Sequence, residues 1–237
     1  MSARTPLLFH DECSQQPAGN LNQLPGLRRV GNLSRFEDAL ENCNLIFLQA
    51  TGKLRQEAVR LLMQEKKSFV LLGLEPADLN DSARLQTGAQ KKHLQICWLG
   101  SLRFHQAVAR MKELLSGGSL GEIEDCLYSE SPSSPWEPYQ IQDLLLWLLP
   151  NSKTPIVRQA ESNTADLSLQ IHASLGSSTI HLQKNQIDSF RVKRPGYPEK
   201  TVSCPDQAAS AELGLLLLLD SLNLPWNMLA KPWECRR

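Results

Sequence analysis

Four consecutive residues near the N-terminus carry side chains that can bind a metal ion: His10, Asp11, Glu12 and Cys13. They follow the apolar run 6–9, which predicts a buried strand, and successive residues of a strand point to opposite faces. A shared metal site would therefore need distant ligands. We predict no metal site here.

Histidines and serines elsewhere could support other chemistry. His172 and His181 fall on adjacent predicted strands and could become cross-strand neighbours, although solvent-facing histidines are the simpler interpretation. Ser101, Ser116 and the serines within 129–134 have no His or Asp partner at the spacing of known nucleophiles, and no G-x-S-x-G motif occurs. No serine nucleophile is predicted.

The overall composition excludes several classes of protein. The 237 residues are 41% hydrophobic and 21% charged, which is typical of a globular chain. Basic and acidic residues number 25 each, so no global field favours nucleic acid or an anionic membrane. The short basic runs 91–93 and 236–237 are typical of solvated surface. We expect neither nucleic-acid binding nor membrane association.

Cysteine usage and the N-terminus bear on the compartment. The six cysteines are scattered without C-x-x-C spacing, which indicates reduced thiols. The first residues contain one Arg and a short apolar segment, which is inadequate for a signal peptide. The most apolar run, 213–219, is far shorter than the roughly 20 residues that span a bilayer. These features predict a cytoplasmic protein.

The first half of the chain alternates between strand and helix patterns. Ser34, followed three residues later by Glu37, predicts a capped helix at 35–41. The next predicted elements are a strand at 44–49, a helix at 54–66, a strand at 69–72, a helix near 78–92 and a strand at 94–99. Such alternation is typical of a parallel sheet covered by helices.

The second half has a different period. A helix that ends at Gly117 and Gly118 precedes it. Residues 167–173 alternate apolar and polar side chains, and 179–183 and 190–193 continue the pattern, which predicts an antiparallel meander with one solvated face. Asp206 predicts the cap of a long helix through Leu222, packed on that sheet or back on the first domain.

Three short motifs occur in an order that resembles the glucose-fructose oxidoreductase / inositol dehydrogenase (Gfo/Idh/MocA) family. They are Arg103-Phe104, a G-x-x-G-x-I turn at 118–123, and the helix 140–148 around Asp143. The chain is more distantly similar to biliverdin reductases. The resemblance implies an α/β fold: an incomplete Rossmann-type parallel sheet in residues 1–118, followed by an α+β domain with an antiparallel sheet in residues 119–237.

Family members transfer hydride between NAD(P) and a sugar, polyol or related substrate, so the resemblance implies a glycine-rich turn that binds pyrophosphate. No G-x-G-x-x-G occurs in the sequence. Counted back from the strand at 44–49, segment 5–12 fits the family's second strand, as though the opening strand, its glycine loop and its helix were missing. Asp11 and Glu12 would then be a vestigial cofactor-binding site. We expect no bound cofactor.

The family's proton-transfer residues are also replaced. The lysine of the family's E-K-P motif becomes Glu75 when the sequence is aligned on Pro76, or Leu74 when it is aligned on the preceding strand. Biliverdin reductases tolerate a changed lysine position. The family's histidine becomes Gln140, which cannot exchange a proton near neutral pH. An acidic residue four positions earlier becomes Trp136.

These losses predict a non-catalytic homologue that acts as a binding, regulatory or partner subunit. A cleft between the halves could still accept a ligand, although the same residue types also form packed cores. Its candidate lining residues are Trp98, Arg103, Trp136, Tyr139, Gln140 and Asp143. The expected partner is an active paralogue or a second copy, bound through the C-terminal sheet. Two alternatives remain: an active NAD(P)-dependent oxidoreductase with an unusual or partner-completed cofactor site, and a pure scaffold.

Overall fold

The computed structural model describes residues 5–10, 21, 24–130, 137–149, 156–161, 167–182, 188–204, 208–232 and 234. The chain divides into two compact units. The first unit is Met1–Gly100 together with Ala209–Arg237, and the second is Ser101–Ala208.

The first unit is built on a five-stranded parallel sheet with strand order β2-β1-β3-β4-β5. Its strands are β1 (Thr5–His10), β2 (Arg28–Val30), β3 (Cys43–Gln49), β4 (Phe69–Leu72) and β5 (Ile96–Leu99). Its helices are α1 (Leu33–Leu40), α2 (Gly52–Gln64), the short α3 (Pro76–Asn80) and α4 (Ser82–Lys92). The strand–helix alternation read from the sequence is confirmed.

Continuous apolar runs explain why these strands lie inside the sheet. Residues 7–9 and 46–48 are fully buried, as are Val70 and Leu71. Helices cover both faces of a parallel sheet, so its strands bury consecutive residues rather than every second one. Trp98, an expected cleft residue, is likewise 0% exposed on β5. Its side chain is therefore fully buried.

The structure differs from the sequence-based prediction at several element boundaries. Helix α1 is capped by Asn32, whose Oδ1 accepts a hydrogen bond from the Arg35 backbone N–H at 2.9 Å, and not by Ser34. Asn and Ser both serve as caps. Asn32, two positions before Ser34, has the extended backbone that an N-cap requires. The helix expected near 78–92 is two helices, α3 and α4, separated at Asp81.

Strand β1 lies within segment 5–12, which was expected to match the family's second strand. It lies in the middle of the sheet, paired in parallel with β2 on one side and β3 on the other. Strand β2 is added on one side of β1, and β3, β4 and β5 are added on the other side. The strand order therefore reverses between β1 and β3. In strand β2 only Val30 is buried, and Arg28 and Arg29 are exposed.

The second unit contains a six-stranded sheet with order β11-β10-β9-β8-β6-β7. All neighbours are antiparallel except β6 and β7. Its strands are β6 (Ile123–Glu130), β7 (Ile156–Glu161), β8 (Leu167–Ala173), β9 (Gly176–Leu182), β10 (Asp188–Lys193) and β11 (Lys200–Cys204). Helices α5 (Gln106–Ser116) and α6 (Pro138–Leu148) contribute to the same core. The expected parallel sheet followed by an antiparallel one is confirmed.

Two glycines form the turn that leads into β6. Gly118 has φ +67° just after α5, which suits the end of a helix. Gly121 has φ +79°, and a Cβ there would lie 2.3 Å from the Ser174 Oγ. No other residue fits this position without displacing the turn at 174–175.

Helix α5 belongs to the second unit, whereas the expected boundary at residue 118 would have placed it in the first. Its buried face, Ala107, Val108 and Met111, lies in the core of the antiparallel sheet. Helix α7 (Ala208–Ser221), apart from its first residue, and the residues after it belong to the first unit. There, the Trp98 backbone N–H donates to the Ala230 carbonyl at 3.0 Å.

Candidate functional site

The carboxyl edge of the parallel sheet is the part of the first unit where chemistry would be expected. In open α/β sheets, ligands bind outside the carboxyl ends of the strands at the point where the strand order reverses. That point lies between β1, which ends at His10, and β3, which ends at Gln49. The segment after His10, with the predicted Asp11 and Glu12, lies outside the described residues.

The Glu75 side chain lies against the N-terminus of α2. Its carboxylate oxygens accept from the Gly52 backbone N–H at 3.1 and 3.3 Å. The first N–H groups of a helix have no partner inside the helix and carry partial positive charge, so they attract an anion. Here the protein supplies that anion itself. The other candidate for the family's lysine position, Leu74, is buried.

A buried ion pair lies beside Glu75. Arg55 of α2 donates through Nη2 to Asp78 Oδ2 at 2.6 Å and through Nε to Asp78 Oδ1 at 3.2 Å. The same guanidinium donates to the Ala50 carbonyl at 3.3 Å and the Gly73 carbonyl at 2.9 Å. Asp78 also accepts from the Glu75 N–H at 2.9 Å. These contacts tie the segments after β3 and β4 to α2 and α3.

The second unit contains the other predicted site residues. Asp143 of α6 is 0% exposed and accepts from Ser101 Oγ at 2.8 Å and from Arg103 Nε at 2.9 Å. Arg103 Nη2 also contacts Asp143 Oδ1. The structure thus brings together Arg103 and Asp143, two of the expected cleft residues, as a buried ion pair.

Gln140, expected from the sequence to replace the family's histidine, forms part of a helix cap. Its Oε1 accepts from the Glu137 backbone N–H at 2.9 Å, in a capping box that starts α6. Pro138 follows as the first helical residue, where a missing N–H costs nothing. Tyr139 beside it is half-buried. Trp136 lies outside the described residues.

Sequence reasoning missed a second buried polar pair in this unit. His105 Nδ1 lies 2.8 Å from Asp188 Oδ2, and both side chains are buried. The two residues are 83 positions apart, so no local spacing could associate them. Arg55 and Asp78 were missed for a similar reason. The sequence offered one weak indication of this pair, since each charged residue falls on the buried face of its predicted helix.

The histidines predicted as possible cross-strand neighbours are not opposite each other. In the register of β8 and β9, His172 faces Ser177 and His181 faces Ser168. His181 Nε2 lies 3.1 Å from Arg191 Nη2 on β10 instead. Among the described residues no group of three His, Cys, Asp or Glu side chains could hold a metal ion.

The buried cysteines are poor nucleophiles. Burial raises the pKa of the Cys126 thiol to about 12, with a smaller contribution from the Asp125 charge. Burial also raises the pKa of Cys97, with Glu212 adding to the effect. For Cys204, burial and then the Asp188 charge act in the same direction. A thiol must ionise to attack or to bind a metal, so these three favour packing.

No helix within the described ranges is both long enough and apolar enough to cross a bilayer.

Comparisons with known proteins identify the fold. No family model and no curated protein matches the chain. Among solved structures, KijD10, a 3-ketoreductase from Actinomadura kijaniata crystallised with NADP and TDP-benzene, aligns with a TM-score of 0.69 at 11% identity. That alignment covers 98% of this chain and 95% of KijD10.

Two further structures agree with this assignment. A protein of Desulfitobacterium hafniense, with proposed NADPH-dependent oxidoreductase activity, aligns with a TM-score of 0.77 at 9% identity over 99% of this chain and 92% of its own. A proposed oxidoreductase of Thermotoga maritima gives 0.64 at 11% identity, over 97% and 93%. The chain has the fold of the Gfo/Idh/MocA-type oxidoreductases, and the resemblance stated from the sequence is confirmed at the level of the fold.

Proposed function

We propose that the protein is a non-catalytic homologue of NAD(P)-dependent oxidoreductases that acts as a binding, regulatory or partner subunit. One observation carries the proposal: the Glu75 carboxylate, at one of the two candidate positions for the family's lysine, accepts a hydrogen bond from the Gly52 N–H at the start of α2. A carboxylate reverses the charge of a lysine. It also competes with an incoming phosphate for the same N–H groups.

The donor set at this edge does not fit a dinucleotide diphosphate. Gly52 N–H faces Glu75, and the Arg55 guanidinium is already shared between Asp78 and two backbone carbonyls. A diphosphate needs N–H groups and cations that are able to approach it, and a fixed negative charge opposes its binding. We therefore infer that the protein binds no NAD(P), and we derive no hydride-transfer step.

The second unit supports the same proposal. Proton transfer near neutral pH needs a group with a matching pKa, and Gln140 is an amide that caps α6. Asp143 is fully buried and accepts from two side chains that hold it in place. Both residues have structural roles that explain their presence.

The C-terminal sheet is the proposed partner surface, to be occupied by a second copy or an active paralogue. The residues on β8 and β9 that point away from the core are polar, Gln170 and Thr179 among them, and are half-buried. Polar faces of this kind suit non-obligate association. Analytical ultracentrifugation of the purified protein tests self-association directly, since a monomer at all concentrations excludes the second copy.

Titration with NADPH tests the central proposal. We expect no saturable change in nicotinamide fluorescence at micromolar protein, with the KijD10 3-ketoreductase as the positive control. The Glu75→Lys variant restores the family's charge and shows whether this position alone prevents binding. Saturable micromolar binding by the unaltered protein contradicts the proposal.

A second candidate function is an active oxidoreductase, and the sheet topology favours it. The reversal between β1 and β3 is retained, and that crevice is the general ligand site of open α/β sheets. Under this function NADPH binds the unaltered protein, and Glu75→Gln tightens the binding because a negative charge is removed. The same titration therefore separates the two functions.

A further inference from the structure

A pocket of about 800 Å³ opens in the second unit between helix α5 and the hairpin formed by β10 and β11. Small-molecule sites generally have volumes of roughly 300–1,000 Å³. All of its lining residues lie between Arg110 and Val202, within the second unit. None of these lining residues belongs to the parallel sheet, at whose carboxyl edge the family's nicotinamide chemistry would be expected.

The floor of the pocket is apolar. Phe190 and Val202 are paired across β10 and β11, and Val192 is paired with Lys200 two residues further along. Residues two apart on a strand share a face, so these four side chains point to the same side of the hairpin. Phe190 and Val192 belong to the core on which α5 packs. Leu114 of α5 completes the floor.

The rim of the pocket is mainly cationic. Arg110, Arg194 and Lys200 contribute three positive charges, and Glu199 contributes one negative charge. Arg110 contacts Glu113, and Glu199 lies 4.0 Å from Arg191. Within the described part of the chain, no ion pair involves Arg194 or Lys200. The rim thus offers two cations for an anionic ligand.

The hairpin loop contributes an aromatic side chain, Tyr197, to the edge of the pocket. Gly196, with φ +78°, allows the turn in which the Tyr197 N–H donates to the Arg194 carbonyl at 3.2 Å. The turn leaves Tyr197 73% exposed beside the pocket, and Val202 of the floor is 41% exposed. A concave surface that combines open apolar side chains with cations is typical of a ligand site.

We propose that this pocket binds a small organic anion that has an apolar body and a single carboxylate or sulfonate head. The body lies on Phe190, Val202 and Leu114 under the Tyr197 ring, where burial of its apolar surface provides most of the binding free energy. The head lies at the rim between Arg194 and Lys200. Charge-assisted hydrogen bonds from these cations select an anion over a neutral analogue.

The test uses anilinonaphthalene sulfonate, a fluorescent aromatic anion, titrated into the full chain. We expect saturable binding with one site per chain. Decanoate should displace the probe at a concentration about tenfold lower than decanol does, because decanol has the same apolar tail without the charge. Equal displacement by the two compounds would overturn the proposal.

Two charge-reversal variants place the site. Lys200→Glu alters the rim and should weaken probe binding about tenfold, which is the effect of losing one charge-assisted contact. Lys193→Glu makes the same charge change on β10, but Lys193 alternates with Val192 and points to the opposite face. It should change binding less than about twofold, since separated surface charges are screened by salt.

A third variant fills the pocket without changing its charge. Val202→Trp places a large ring on the floor at a position that is already partly exposed. It should abolish saturable binding while circular dichroism and thermal unfolding stay close to those of the parent. Unchanged binding in both Lys200→Glu and Val202→Trp, or no saturable binding by the parent, would overturn the proposal. NADPH does not enter these measurements, so their outcome is independent of the proposed function.

Discussion

Among the described residues, each unit of the protein contains a buried arginine–aspartate pair, and the two pairs have different hydrogen-bond partners. In the first unit, Arg55 shares its donors between Asp78 and the carbonyls of Ala50 and Gly73. In the second unit, Asp143 accepts from the side chains of both Ser101 and Arg103. The first pair is centred on the cation and the second on the anion.

This difference predicts where each unit is vulnerable. Loss of one partner of a buried pair is costly because the remaining charge stays buried. Arg55 would keep two carbonyl acceptors if Asp78 were removed. Arg103 and Ser101 would lose their common acceptor if Asp143 were removed. Removal of the aspartate should therefore damage the second unit more than the first.

The largest effect is expected for Asp143→Ala. The free energy of unfolding should fall by about 3–5 kcal/mol, the usual cost of removing one partner from a buried ion pair. Equilibrium urea unfolding measures it, with Glu113→Ala as a control because that ion pair with Arg110 is exposed and should contribute little. The double variant Arg103→Met, Asp143→Leu should recover most of the loss. A control variant as unstable as Asp143→Ala would contradict this view.

The buried thiols report on the two units separately. With its pKa raised to about 12, Cys126 is mostly protonated at pH 9, while an unfolded thiol of pKa 9.0 is half ionised. Its alkylation should then be at least about a hundredfold slower than in the unfolded chain. The raised pKa also means that the unfolded state loses its proton first, so stability should decrease from pH 9 towards 12.

Mass spectrometry of alkylated peptides would follow Cys126 in the second unit and Cys97 in the first. Asp143→Ala should accelerate alkylation of Cys126 before that of Cys97, because local stability is lost in the unit that carries the change. Simultaneous exposure of both thiols would mean that the units unfold together. The effects of the two aspartate substitutions would then both be measured as changes in the unfolding of the whole chain.

A smaller effect is expected for Asp78→Ala, at about 2 kcal/mol. The Arg55 guanidinium keeps two backbone acceptors, although the Glu75 N–H loses its own. Urea unfolding under the conditions used for Asp143→Ala gives the comparison. An Asp78→Ala loss equal to or larger than that of Asp143→Ala would show that backbone carbonyls do not compensate for the carboxylate.

The smallest effect is expected for Glu75→Gln. An amide oxygen can still accept from the Gly52 N–H, so only the favourable interaction between a charge and the helix N-terminus is lost, about 0.5 kcal/mol. Thermal unfolding measures the effect. Raising the salt concentration should reduce the difference in melting temperature between the variant and the parent, because such interactions are screened. A thermal shift that grows with salt would contradict the role assigned to this carboxylate.

The sequence predicts those parts of the fold that depend on local pattern. Apolar runs such as 46–48 identified the buried strands, and the alternation at 167–173 identified the antiparallel sheet. The pairing partners of β1 could not be predicted from local pattern, because they depend on which strands pair over long distances. Strand β2 escaped notice since a single buried residue, Val30, leaves no periodic signal.

The candidate site was predictable in its positions but not in its contacts. Glu75, Gln140 and Asp143 were singled out by their place in motifs, yet their partners Gly52, Glu137 and Ser101 were not. Gly52 is 23 residues from Glu75 and Ser101 is 42 from Asp143, so only the folded chain brings them together. Glu137, three residues before Gln140, was within reach of the capping pattern.

The first unit is discontinuous along the chain, and this affects the order in which the protein can form on the ribosome. Residues 101–208 are contiguous, so the second unit can fold as soon as it has emerged. The first unit is completed by residues translated after the second unit, including Ala230, whose carbonyl accepts from the Trp98 backbone N–H. Until those residues emerge, the first unit is incomplete and the apolar surface around β5 stays accessible to chaperones. The second unit can fold during that time.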